Sequence, residues 1–257
     1  MPTPTLTIGA PCWLDLYSSD TERAKEFYGR LFGWQTMDPG PEYGGYVIFQ
    51  KDGKAVAGCM ANDGQQGFPD SWTVYLNTDD ADRIAADAAA KGAKVHMEPM
   101  DITQNGRMTM LSDPGGATVG VWQPREVKGF EVRGEPGTPG WFELHTRDYD
   151  KTVAFYRDVF GWDAHTAGDT DDFRYTTLGE GESALAGIMD SSPYPDETFH
   201  AGWIVYFKVD DVDATVEQVE ALGGTIEKPA EDTPYGRFAA CTDPTGTRFK
   251  VLGDNGQ

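Results

Sequence analysis

The sequence predicts an α+β fold made of four β-α-β-β-β modules. Three observations carry that prediction. The chain of 257 residues contains one long internal repeat. Within each copy, alternating apolar runs switch twice to helical spacing, which marks strands followed by helices. Gly, Pro and Asp clusters punctuate those runs where turns are needed.

The repeat fixes the organisation. FYGRLFGW at residues 27–34 returns as FYRDVFGW at 155–162. WTVYLNTDDAD from Trp72 returns as WIVYFKVDDVDA from Trp203, and GRMTMLSDPGG from Gly106 as GRFAACTDPTG from Gly236. PCWLDLYSSD from Pro11 corresponds to GWFELHTRD from Gly140. The offsets run from about 128 to 131 residues, too long for a solenoid and right for two copies of one domain. The copies span residues 1–123 and 140–257. The Gly- and Pro-rich stretch 124–139 is the linker.

Each copy reads as two similar units. Residues 11–17 alternate and form a strand. Ser19 or Asp20 caps the helix that follows, with Glu22 available for a capping box, and Gly33 stops it. Ala24, Phe27, Tyr28 and Leu31 share one helix face. Residues 46–50 and 55–60 are strands around a KDGK turn. The second unit begins with a strand at 72–78. An Ala-rich helix at 79–91 follows, then strands at 94–97, 106–112 and 118–123, the last two joined by DPGG. The second copy repeats the plan. Strand 141–146 and helix 150–160 precede strands near 173–178 and 184–189. Strand 203–209 and helix 212–222 precede strands near 225–227, 236–242 and 247–252.

Composition narrows the function. There are 42 Asp+Glu against 21 Lys+Arg, a formal net charge of −21. Phosphate surfaces repel such a chain, so neither nucleic acid nor an anionic membrane is an expected partner. Mean hydropathy is −0.50 and no apolar run approaches a membrane span. No secretory leader is legible, so a cytoplasmic protein is expected. Cys12, Cys59 and Cys241 fit no zinc spacing and read as small buried hydrophobes.

The FYGRLFGW and FYRDVFGW helix ends, the TDDAD and VDDVDA joints, the GAKV and GGTI helix exits and the DPGG and DPTG turns cover nearly the whole chain. Together they resemble the vicinal oxygen chelate superfamily, which includes glyoxalase I, extradiol dioxygenases, fosfomycin-resistance enzymes and bleomycin-binding proteins. The tandem form looks like a two-domain actinobacterial glyoxalase-like subgroup, some of whose members accompany aromatic polyketide pathways. The resemblance implies four modules paired into two cup-shaped mixed sheets, with helices on the outer faces and the ligand in the cup. Pairing 1+2 with 3+4, or 1+4 with 2+3, is left open. So is a monomer with pseudo-dimeric architecture against a homodimer.

Metal-binding members of that superfamily take ligands from four strand positions. The resemblance maps them to Trp13 and Trp141, fifteen residues before Tyr28 and Tyr156. The second falls near Ala57 and Gly58, and near Ala186 and Gly187. The third falls near Thr73 and Ile204, the fourth at Gly120 and Lys250. None is a good donor, so neither a metal nor another cofactor is expected. Of the four histidines, His96, His165 and His200 read as loop or edge residues. His145 shares a strand face with Trp141 and Glu143.

Period-two alternation then nominates the cup lining. The first cup takes Trp13, Asp15 and Tyr17, Thr73, Tyr75 and Asn77, and Thr118 and Trp122. The second takes Trp141, Glu143 and His145, Ile204, Tyr206 and Lys208, and Arg248 and Lys250. Trp72 and Trp203 are out of phase with the cup and read as core. Glu143, His145 and Asp15 are the candidate acid–base groups, with a plain Glu143 salt bridge to Lys208 or Lys250 as the competing reading. The expected ligand is a small planar hydrophobic or aromatic molecule, bound for sequestration or resistance as in bleomycin-resistance proteins. The alternatives are an aromatic-polyketide enzyme using Glu143 or Asp15 as general base, and a metal-dependent lyase or dioxygenase whose ligands lie elsewhere. Whether the chain is an enzyme is open at this point.

Overall fold

A computed structural model describes residues 6–65, 67–195 and 201–255. His200 lies outside the described residues.

In the first copy, β1 (Pro11–Ser18), α1 (Thr21–Phe32), β2 (Gln35–Met37), β3 (Val47–Lys51) and β4 (Lys54–Ala61) form module one. Module two is β5 (Ser71–Asn77), α2 (Ala81–Ala90), β6 (Lys94–Ile102), β7 (Gly106–Ser112) and β8 (Thr118–Pro124). Modules three and four follow as β9 (Pro139–Thr146), α3 (Tyr149–Phe160), β10 (Ala164–Thr170), β11 (Phe173–Leu178) and β12 (Gly187–Asp190), then β13 (Gly202–Lys208), α4 (Val212–Ala221), β14 (Thr225–Thr233), β15 (Gly236–Thr242) and β16 (Arg248–Gly253). Two strands are additional to those read from sequence. All three residues of β2 are exposed, so it carries no burial alternation, and β10 is mostly exposed as well.

The shared motifs have local jobs. Asp20 accepts from the Arg23 amide and caps α1; Asp80 and Asp211, the second Asp of each DD pair, cap α2 and α4 in the same way. Gly33 and Gly161 end α1 and α3 in the left-handed region, at φ 72° and 69°, where a side chain would be strained.

Each copy makes one eight-stranded mixed sheet, in the orders β2-β3-β4-β1-β5-β8-β7-β6 and β10-β11-β12-β9-β13-β16-β15-β14. β1 and β5 pair antiparallel, as do β9 and β13, so module one joins two and three joins four. The first sheet is rolled. Seven strand spacings of about 4.8 Å would separate its edges by roughly 34 Å if flat. Instead Tyr43, between β2 and β3, lies 3.1 Å from Thr103 and accepts from Asn105 at 2.9 Å, both in the β6–β7 turn at the other edge.

The helices cover the face opposite the rolled interior, and the two helix-bearing faces meet, α1 against α4 and α2 against α3. Tyr28 and Tyr156, the tyrosines of the FY pairs, cross between copies. Tyr28 donates to Asp243 at 3.1 Å and Tyr156 to Asp113 at 3.2 Å. Trp72 and Trp203 donate to those hydroxyls at 3.0 Å, so both belong to the core. The FGW tryptophans also cross, Trp34 to the Gly137 carbonyl and Trp162 to that of Gly9. One continuous apolar core spans both sheets. Among the described residues, no helix is long and apolar enough to cross a membrane.

Candidate functional site

On the helix-free face, each sheet centres on one buried carboxylate. Asp15 of β1 lies opposite Gly58 of β4 and Thr73 of β5; Glu143 of β9 lies opposite Gly187 of β12 and Ile204 of β13. The cups are therefore separate, and Asp15 does not meet Lys208 or Lys250.

In the second cup Glu143 is held through both oxygens. Its Oε1 is 2.7 Å from His145 Nε2, accepts from Tyr206 at 2.6 Å and from Lys250 at 3.4 Å. Its Oε2 accepts from Tyr175 at 2.8 Å, whose hydroxyl in turn accepts from the Trp141 indole at 3.0 Å. Lys250 donates to the Tyr206 hydroxyl at 2.6 Å, and its ammonium lies 4.6 Å from the Tyr206 ring centroid and 5.4 Å from that of Phe238. Burial pushes the Glu143 carboxyl up, but the Lys250 charge and the donors from His145 and Tyr206 more than reverse this. The group is held well below the usual carboxylate range. Burial depresses the Lys250 ammonium, and Glu143 offsets only part of that. Glu143 thus holds a cation and three polar partners in place, and is a weak proton acceptor.

The first cup repeats the frame without the cation. Asp15 Oδ1 accepts from the Trp13 indole at 3.0 Å and from Tyr46 at 2.6 Å, and the indole also reaches the Tyr46 hydroxyl at 2.9 Å. Tyr17 stands where the second cup has His145, Tyr75 where it has Tyr206, and Gly120 where it has Lys250. Burial raises the proton affinity of Asp15, and the polar contacts of Tyr46, Tyr75 and Trp13 do not cancel it. Of the two carboxyls, Asp15 is the better proton acceptor.

Tyr46 and Tyr175 are site residues that strand alternation did not nominate. Both come from outside the first strands, and each lies over the glycine opposite the carboxylate. A Cβ at Gly58 would stand 1.8 Å from the Tyr46 hydroxyl oxygen and one at Gly187 2.1 Å from that of Tyr175. The sequence did carry a signal, since the two tyrosines repeat at an offset of 129 residues.

Thr73 and Ile204 lie opposite the two carboxylates, whereas Trp122, Asn77, Lys208 and Arg248 have partners away from them. Trp122 spends its indole N–H on the Val127 carbonyl, and Asn77 donates to the Thr7 carbonyl. Lys208 is half-buried, 3.9 Å from Asp254 at the surface. Arg248 is exposed and paired with Glu227 at 2.7 Å. His96 bonds Ser112 and His165 lies beside Asp163. The three cysteines are buried and unlinked.

The donor chemistry does not fit a divalent metal. The four positions hold Trp13, Gly58, Thr73 and Gly120 in one cup and Trp141, Gly187, Ile204 and Lys250 in the other. The strand-facing space at the second position is taken by a tyrosine, and the fourth carries an ammonium in the second cup. Among the described residues, no three His, Cys, Asp or Glu side chains converge as a metal site would require.

Relatives place this geometry in context. The chain is 38% identical over 262 residues to the anthracycline biosynthesis protein DauV of Streptomyces sp. (strain C5), covering 95% of this chain and 93% of that protein. It is 39% identical over 249 residues to the putative glyoxylase CFP32 of Mycobacterium bovis, covering 95% and 94%. Among solved structures, it resembles the Mn(II)-bound glyoxalase of Novosphingobium aromaticivorans at a TM-score of 0.65 and 18% identity, covering 97% of this chain and 83% of that one. It also resembles the 2,3-dioxygenase LapB of Pseudomonas sp. KL28 at 0.66 and 13%, covering 98% and 94%. Those two likenesses concern the fold. Residues 12–121 and 129–251 each match one family description, and with both sheets accounted for the chain belongs to the Glyoxalase/Bleomycin resistance protein/Dioxygenase superfamily.

Proposed function

We propose that the protein binds a small planar hydrophobic or aromatic molecule in its sheet-lined cups, without a metal, and serves to sequester it. One observation carries this reading. In both copies the metal-ligand strand positions are given over to a tryptophan and a tyrosine-covered glycine, so each cup floor is an aromatic frame around one carboxylate. Flat rings with a few fixed polar groups suit a planar ligand that carries carbonyl or hydroxyl substituents.

Tryptophan-fluorescence titration with 1,8-dihydroxyanthraquinone tests it. Saturable quenching is expected. Trp141→Leu, at a half-buried position, should weaken binding about fivefold, in line with roughly 1 kcal/mol for one aromatic contact. Linear, unsaturable quenching would overturn the reading.

A second reading is proton transfer on a bound aromatic polyketide, favoured by the likeness to an anthracycline biosynthesis protein over nearly the full length of both chains. Under it Asp15, with its raised proton affinity, is the base and Glu143 is not. Asp15→Asn would then abolish turnover of such a substrate while leaving its binding intact.

A further inference from the structure

The two cups share one frame and differ in one charge, and that difference identifies what the first cup lacks. In the second cup the Lys250 ammonium bridges the Tyr206 hydroxyl and Glu143, under two aromatic rings. In the first cup the corresponding tyrosine and carboxyl are present, and among the described residues no cation bridges them. The Tyr75 hydroxyl is buried and makes no well-aligned hydrogen bond, lying beside Asp15 and Tyr17 with only weak polar contacts to both. Among the described residues no hydrogen bond reaches Asp15 Oδ2, and no cation pairs with Asp15. Asp15 is 7% exposed and Tyr75 2% exposed, so these are interior groups. A largely buried carboxylate without a cation beside it costs free energy, which a bound ammonium would recover.

We propose that the first cup binds an ammonium group. A protonated amine on the ligand sits between the Tyr75 hydroxyl and the Asp15 carboxylate, ringed by Trp13, Tyr17 and Tyr46, as the Lys250 ammonium sits in the second cup. A buried carboxylate among aromatic rings is the chemistry that recognises such a cation. The group must arrive on a ligand, because the chain cannot supply it from the fourth position: the Tyr75 ring leans over Gly120, and a Cβ there would stand 2.2 Å from it. Asp15 is one methylene shorter than Glu143, and Tyr17 and Tyr46 are only half-buried, so the approach is from the helix-free side. The inference rests on the preceding reading in one respect, that the cup is a ligand site.

Calorimetric titration of the full chain with benzylammonium chloride and with benzyl alcohol tests it. Benzylammonium is expected to bind at one site per chain, at least tenfold more tightly than the alcohol. Asp15→Asn should cost tenfold or more, and Asp15→Glu should restore part of the loss. Tyr75→Phe keeps the ring, removes the acceptor, and should cost about threefold; it stands in should the Asp15→Asn protein fail to fold. Equal affinity for alcohol and amine, or unchanged amine binding in Asp15→Asn or Tyr75→Phe, would overturn the inference. The anthraquinone carries no amine, so the two readings fail separately. Anthraquinone quenching without amine selectivity removes only the ammonium site, and amine binding without anthraquinone quenching removes only the planar ligand.

Discussion

Asp15 and Glu143 occupy equivalent positions, and burial pushes both carboxyls up, yet their net proton affinities move in opposite directions. The difference comes from neighbouring side chains, chiefly Lys250 against Gly120 and His145 against Tyr17. Glu143 and Lys250 form a buried pair, and removing one partner strands the other. Glu143→Gln should cost about 3–5 kcal/mol. At roughly 2–4 °C per kcal/mol for a chain of this size, thermal unfolding should fall by about 10 °C. The double variant Glu143→Gln/Lys250→Met should recover most of that loss; a double variant no better than the single would show that the pair is not coupled. Asp15 behaves in the other sense. Its folded proton affinity is raised above the unfolded value of about 3.9, so its contribution worsens as pH rises from there through the folded value. Asp15→Asn removes that burden. Its melting temperature should gain on the parent's as pH rises from about 4, and a difference that stays constant at every pH above that would contradict the assignment.

At the scale of strands and turns, the cups depend on glycines that let a tyrosine lie flat across a strand. Gly187→Ala would drive Tyr175 off Glu143. Overpacking of this kind costs about 1–3 kcal/mol, visible as a lower denaturant midpoint. Period-two alternation was enough to place Trp13, Asp15, Trp141, Glu143, His145 and Tyr206 on cup faces, because side-chain direction along a strand is a local property. It could not find Tyr46 or Tyr175, whose role depends on which strand lies beside β1 or β9. It also could not separate Lys250, which turns inward to Glu143, from Lys208 and Arg248, which share its alternation but lie near strand ends with surface partners. The strand β2 was illegible for a related reason, since a strand exposed along its whole length leaves no pattern.

Over the whole molecule, the motifs that reveal the repeat are the ones that hold its copies together. The FY tyrosine of each copy reaches the turn aspartate of the other, and each FGW tryptophan reaches the segment leading into the other copy's first strand. Asp113 and Asp243 also accept backbone amides of their own turns through the other carboxylate oxygen. The pairing of modules was open at the level of sequence because each module presents the same edge to either partner; the antiparallel β1–β5 and β9–β13 contacts decide it. With the core shared, both copies should unfold in one calorimetric transition, and two resolved transitions would show that they are independent. Cups that hold a planar aromatic ligand without a metal, as proposed, should bind it equally well with every divalent ion removed. The most direct measurement is the tryptophan-fluorescence titration with 1,8-dihydroxyanthraquinone on chelator-treated protein, repeated with added Mn(II). Saturable quenching with the same midpoint is expected in both. Quenching that appears only when Mn(II) is restored, with one ion retained per chain, would contradict it.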